Sequence, residues 1–168
     1  TQSLNLSLLI LFSVTENEDT ALNKKGKAWS LYVNKTAAGT DDYVFYIKNT
    51  GEKVLAIEKL SGQVGGATKL YLEEVTGTPS YAAGVVITPK PLNLGTSLTV
   101  SATIYEDTNT TGLTVDGDPV GMLPCAAAST DYEKEFPTDI IIPQGRALAI
   151  RSSAAVAVEM FLTLVELP

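Results

Sequence analysis

The chain has 168 residues, 45% of them apolar, which is enough for one domain with a sizeable core. Its formal charge of −7 and its pI of about 4.5 disfavour nucleic acid and anionic membranes as partners, because both need a basic footprint. There is no histidine and one cysteine, Cys125, so Ser-His and Cys-His nucleophile pairs, the usual zinc sites and an intrachain disulfide are all excluded.

The first predicted element is a strand. Leu4, Leu6, Leu8, Ile10, Phe12 and Val14 recur at period two and share one face, with Asn5, Ser7 and Ser13 opposite, joined there by Leu9 and Leu11. The run lacks a basic flank and a small-residue cleavage site, and it is too short to cross a bilayer, so it reads as neither a targeting nor a spanning segment. Thr15 to Gly26 is polar and reads as a linker. Residues 1–26 are therefore expected to be an N-terminal strand or arm with its linker, and residues 27–168 the β-sandwich domain. The six apolar residues are the candidate partner interface. They form either an ordinary sandwich strand or an arm that adds to a neighbour's sheet. Burying six such side chains is worth on the order of 10 kcal/mol before entropy costs.

A strand follows over Lys27–Val33, with Trp29, Leu31 and Val33 on one side, then a loop over Asn34–Asp41. Asp42–Asn49 is the next strand, where Tyr43, Phe45 and Ile47 oppose Val44, Tyr46 and Lys48. Asn49-Thr50-Gly51-Glu52 is a tight-turn signal leading into Val54–Leu60, and it predicts a hairpin between those two strands. After a glycine-rich break, Thr68–Val75 reads as a strand with Leu70 and Leu72 inward. Gly84–Thr88 is a short strand, ended by Pro89 and Pro91.

The cleanest alternation lies at Leu98–Tyr105: Leu98, Val100, Ala102 and Ile104 on one face, Thr99, Ser101, Thr103 and Tyr105 on the other. Glu106–Pro137 reads as irregular, with a short strand near Val120–Leu123 and one helical turn within Ala126–Lys134. Asp139–Ile142 and Arg146–Ser152 flank the turn Pro143-Gln144-Gly145. In the last strand Val156, Val158, Met160, Leu162 and Leu164 share a face. Nine or ten strands with little or no helix predict an all-β, two-sheet antiparallel sandwich of jelly-roll type.

No residue set carries the pattern of an active site. Asp116-Gly117-Asp118, with Asp107 nearby, offers oxygen ligands for calcium but lacks the rest of a calcium loop and reads as a turn. Glu73 and Glu74 are adjacent in a strand and face opposite ways. Glu58, Glu106, Asp139 and Glu159 are scattered, and nothing singles out a pair at glycosidase spacing. Lys24, Lys25 and Lys27 form the one basic cluster, read as a solvated loop or a contact to an acidic neighbour. Trp29 and the seven tyrosines could make a carbohydrate platform, although their alternating positions favour core or subunit contacts. Cys125, among apolar neighbours, reads as a buried inert thiol. Asn34-Lys35-Thr36 and Asn109-Thr110-Thr111 fit the glycosylation sequon. No catalytic, cofactor-binding or metal residue is assigned, and the chain is read as non-enzymatic.

Four segments resemble virion structural proteins of tailed bacteriophages: Asp42–Thr50, the loop Val86-Ile87-Thr88-Pro89-Lys90-Pro91-Leu92-Asn93-Leu94-Gly95-Thr96-Ser97, the stretch from Ala102–Tyr105 to Thr111-Gly112-Leu113, and Thr138–Gly145. The likeness covers roughly residues 27–165. Pro91 departs from it, standing near where asparagine would be typical, as does the long N-terminal strand. The resemblance implies a head decoration or cement protein on the outer capsid surface, made in the host cytoplasm. Its expected partners are itself, as a homotrimer, and the major capsid protein, with no cofactor and no direct contact with nucleic acid or membrane. The competing readings are a tail-fibre or receptor-binding tip that binds host carbohydrate, a small carbohydrate-active enzyme or lectin-like module, and a jelly-roll major capsid protein.

Overall fold

The computed structural model describes residues 27–77, 79, 85–108, 112–127 and 130–168. The predicted strand Leu4–Val14, with its six candidate interface residues, and Lys24 and Lys25 lie outside them. Eight strands make the main body: β1 (Ala28–Thr36), β2 (Asp42–Asn49), β3 (Leu55–Val64), β4 (Thr68–Gly77), β9 (Gly121–Cys125), β10 (Thr130–Ile142), β11 (Ala147–Ser152) and β12 (Ala157–Glu166). They pair antiparallel from the outside in: β1 with β12, β2 with β11, β3 with β10 and β4 with β9. Further pairing of β12 with β3 and of β11 with β4 closes two sheets. This is one long antiparallel ribbon rolled on itself, a jelly roll.

Four short strands fill the gap between β4 and β9: β5 (Val85–Val86), β6 (Lys90–Pro91), β7 (Ala102–Thr108) and β8 (Leu113–Val115). They extend the sheets rather than form a layer. The first sheet runs β10-β3-β12-β1-β6, and the second runs β5-β7-β2-β11-β4-β8, with β9 also on β4. Twelve strands thus replace the expected nine or ten among the described residues, with the all-β sandwich class unchanged. The core is the inner face of both sheets. Leu31 and Val33, Ile57 and Leu60, and Val158 to Leu164 at alternate positions meet Phe45, Ile47, Leu70, Leu72, Leu148 and Ile150. The period-two pattern places most of them there, since one side of each strand must leave water, and an irregularity at Glu58 brings Ile57 and Leu60, three residues apart, to the same face of β3.

Four expectations fail for identifiable reasons. The predicted hairpin of Asp42–Asn49 with Val54–Leu60 does not form: β2 and β3 sit in different sheets. The turn is real but serves as a corner between sheets. Asn49 is fully buried there, donating from Nδ2 to the Lys53 and Ile142 carbonyls at 2.7 and 2.9 Å and accepting from the Gly51 N–H at 3.0 Å. The β10–β11 corner lies alongside, where Gly145 adopts φ +78° and donates its N–H to the Asn49 carbonyl.

The alternating run at Leu98–Tyr105 is strand only from Ala102. The Ser101 carbonyl accepts the N–H groups of Thr50 and Gly51, which draws residues 96–101 over the corner and leaves Leu98 exposed. In β2 the register against β11 shifts at Val44, a bulge that turns Val44 and Phe45 both into the core. Tyr43 and Tyr46 therefore share the outer face, packed with Val75, Ala147 and Ala149. The helical turn expected in Ala126–Lys134 gives way to β10, whose first residues pair with Val64 and Gln63 of β3; tertiary pairing overrides local preference.

Candidate functional site

The turn-rich segment between β6 and β7 carries the most exposed large apolar residue among the described residues. Leu94 is 90% exposed, and Leu92 and Leu98 are about half exposed. A leucine in water at the tip of a floppy loop would mean little. This loop is held. The Asn93 side chain accepts from the Gly95 N–H at 3.1 Å and its carbonyl accepts from the Thr96 N–H at 3.1 Å, a compact turn of the kind Asn favours. The Thr96 hydroxyl accepts the Leu98 N–H at 3.2 Å. The indole N–H of buried Trp29 donates to the Leu98 carbonyl at 3.3 Å, and the Leu92 N–H donates to the Ala28 carbonyl at 2.9 Å. The loop is therefore tied to the start of β1 at both ends and displays its leucines outward. Periodicity could not reveal this, since Leu98 looked like a strand residue. The signal was the Asn-Leu-Gly-Thr turn chemistry.

The candidate chemical groups are dispersed, most of them in structural pairs. Glu73, 2% exposed on the outer face of the second sheet, accepts from Arg151 Nη2 at 2.6 Å and Nε at 3.1 Å and from the Tyr43 hydroxyl at 3.0 Å. Arg151 also pairs with Asp41 and lies 4.5 Å over the Tyr71 ring. Glu74 points the other way and binds Arg146, whose other contact is Asp116 at 3.4 Å. The Asp116-Gly117-Asp118 segment is a turn with Gly117 at φ +83°, its Asp116 N–H bonded to the Glu74 carbonyl. Among the described residues no group of three or more His, Cys, Asp or Glu is placed to hold a metal ion.

Glu159 accepts hydrogen bonds from Tyr32 and Gln63, and Glu106 accepts the Asn34 N–H. Lys27 pairs with Glu166 at 2.8 Å. Cys125 is buried, and that burial raises its thiol pKa. Asn34 of the first sequon is exposed on β1, whereas Asn109–Thr111 and the Asp107 side chain lie outside the described residues. No helix of the described chain is long and apolar enough to cross a membrane. Comparison with protein families, curated proteins and solved structures finds no match.

Proposed function

We propose that this chain is a non-enzymatic structural subunit of a tailed-phage virion: a decoration protein that docks on the outer capsid shell and stabilises it through subunit contacts. The observation that carries the reading is the tethered leucine loop, Leu92–Leu98, which coincides with one of the segments resembling phage virion proteins. A pre-ordered apolar knob loses little entropy on docking. Burying one exposed leucine is worth about 2 kcal/mol, or roughly thirtyfold in affinity, and several copies in an oligomer multiply that gain. The acidic charge of the chain keeps it from nucleic acid.

The test is co-sedimentation of the full chain with capsids that lack it, comparing wild type with Leu94→Asp. Wild type is expected to pellet with the shell. The variant should lose at least about tenfold in affinity, with its melting temperature unchanged. Equal binding by both would remove the loop from the mechanism, and no binding by either would remove the shell.

A further inference from the structure

A second surface lies on the outer face of the first sheet, and its chemistry differs from that of the leucine loop. Tyr32 of β1 and Phe161 of β12 are direct cross-strand partners there. Their ring centroids are 4.8 Å apart with planes tilted by 34°, and they are 43% and 48% exposed. They contribute nothing to the inter-sheet core. The next row of the same face places Asn34, Glu159 and Gln63 side by side. The Tyr32 hydroxyl donates to one Glu159 oxygen at 2.9 Å and Gln63 Nε2 donates to the other at 2.8 Å. A carboxylate has about four acceptor sites, so two remain for incoming hydroxyls. Residues 85–88 wall one side of the rings, with Lys90 and Glu106 completing a groove of about 520 Å³, within the size range of ligand sites.

We propose that this groove binds a neutral oligosaccharide. The apolar C–H face of a pyranose ring matches an exposed aromatic surface, and the hydroxyls on its rim match a carboxylate fixed in orientation beside that surface. The wall of Val85, Val86 and Ile87 gives the second apolar side that an extended chain of sugars needs. Glu106 and Lys90 offset one another in the lining, and Glu159, beside the groove on the Tyr32 hydroxyl, adds a further negative charge in a chain that is already acidic, which selects against acidic glycans. The hydrogen bonds from Gln63 and Tyr32 hold the Glu159 carboxyl below its usual range, so it stays an acceptor rather than a proton donor. The groove thus has a fixed carboxylate acceptor beside its aromatic wall. This reading is independent of shell docking and rests on different residues.

The full chain is to be titrated with maltotetraose, cellotetraose and tetra-N-acetylchitotetraose by saturation-transfer NMR and calorimetry. At least one should bind, with Tyr32→Leu and Phe161→Leu each weakening it roughly tenfold. The leucine variants keep apolar volume while removing the flat ring, so both should stay folded. Glu159→Gln should weaken binding too, and Leu94→Asp should leave it unchanged. Absence of binding to all three sugars at about 10 mM, well above the millimolar range of weak sites, would overturn the proposal. So would binding that survives Tyr32→Leu/Phe161→Leu. Loss of capsid binding or self-association in these variants, without sugar binding, would instead make the groove a protein contact and equally overturn it.

Discussion

Replacing Arg151 with methionine tests the polar cluster on the outer face of the second sheet. Glu73 is 2% exposed and takes its charge compensation from Arg151, with the Tyr43 hydroxyl as a further donor. The β4–β11 register fixes this arrangement: Arg151 stands opposite Tyr71, and Glu73 one step along opposite Ala149, whose small side chain leaves room for the guanidinium. Arg151→Met keeps an unbranched apolar side chain, removes the guanidinium that lies over Tyr71 and strands the carboxylate, a loss of about 3–5 kcal/mol. For a chain of this length that corresponds to roughly 6–20 °C in melting temperature. Replacing both members, Glu73→Leu with Arg151→Met, removes the stranded charge and should return stability to within about 2 kcal/mol of wild type. Urea unfolding of the four members of the cycle, followed by Trp29 fluorescence, measures each step. If Arg151→Met costs less than about 1 kcal/mol, or if the double variant is as unstable as the single, then burial of Glu73 is not what makes the pair matter.

Three further outcomes follow from the geometry. Asn49→Ala removes two donated bonds and one accepted bond at the paired corners, with an expected cost of about 2–4 kcal/mol in urea unfolding; a loss under about 1 kcal/mol contradicts the corner's role. Gly62→Ala places a methyl 1.9 Å from the Glu159 carbonyl and 2.8 Å from the Tyr132 hydroxyl that crosses it, so β3 and β12 must part. We expect at least about 1–3 kcal/mol of destabilisation, and a melting temperature equal to wild type would show that the strands have slack. Burial, reinforced by the Glu73 carboxylate, pushes the Tyr43 phenol from 10 up to about 12. Its contribution is intact below pH 10, where both states are neutral, and is lost between 10 and 12 as the unfolded chain ionises first. Denaturant midpoints should fall across that window, and less steeply in Tyr43→Phe; an identical slope in both rejects the assignment.

Fold class was readable because the inward positions of β1, β4, β11 and β12 repeat at period two, and that pattern survives any topology. Partner choice was not readable. The Asn49–Glu52 turn has the same local chemistry whether it joins neighbours in one sheet or turns a corner between two. Only the carbonyls of Ile142 and Lys53, one of them far along the chain, decide between these. The bulge at Val44 is invisible for a related reason: it is set by register against β11, and the sequence of β2 alone alternates without a break. At the leucine loop, strand-like alternation and turn chemistry competed, and the turn won because the Ser101 carbonyl is committed to Thr50 and Gly51. The Tyr32–Phe161 platform needed the β1–β12 register, since the two rings are more than a hundred residues apart in sequence.

The central claim, that this protein works by docking on a shell and not by chemistry on a substrate, is tested most directly by electron cryomicroscopy of the virion that carries it. The account predicts jelly-roll density repeated across the outer capsid surface, with the Leu92–Leu98 loop turned toward a capsid or neighbouring subunit. A capsid bare of such density, or density confined to the tail, would contradict it.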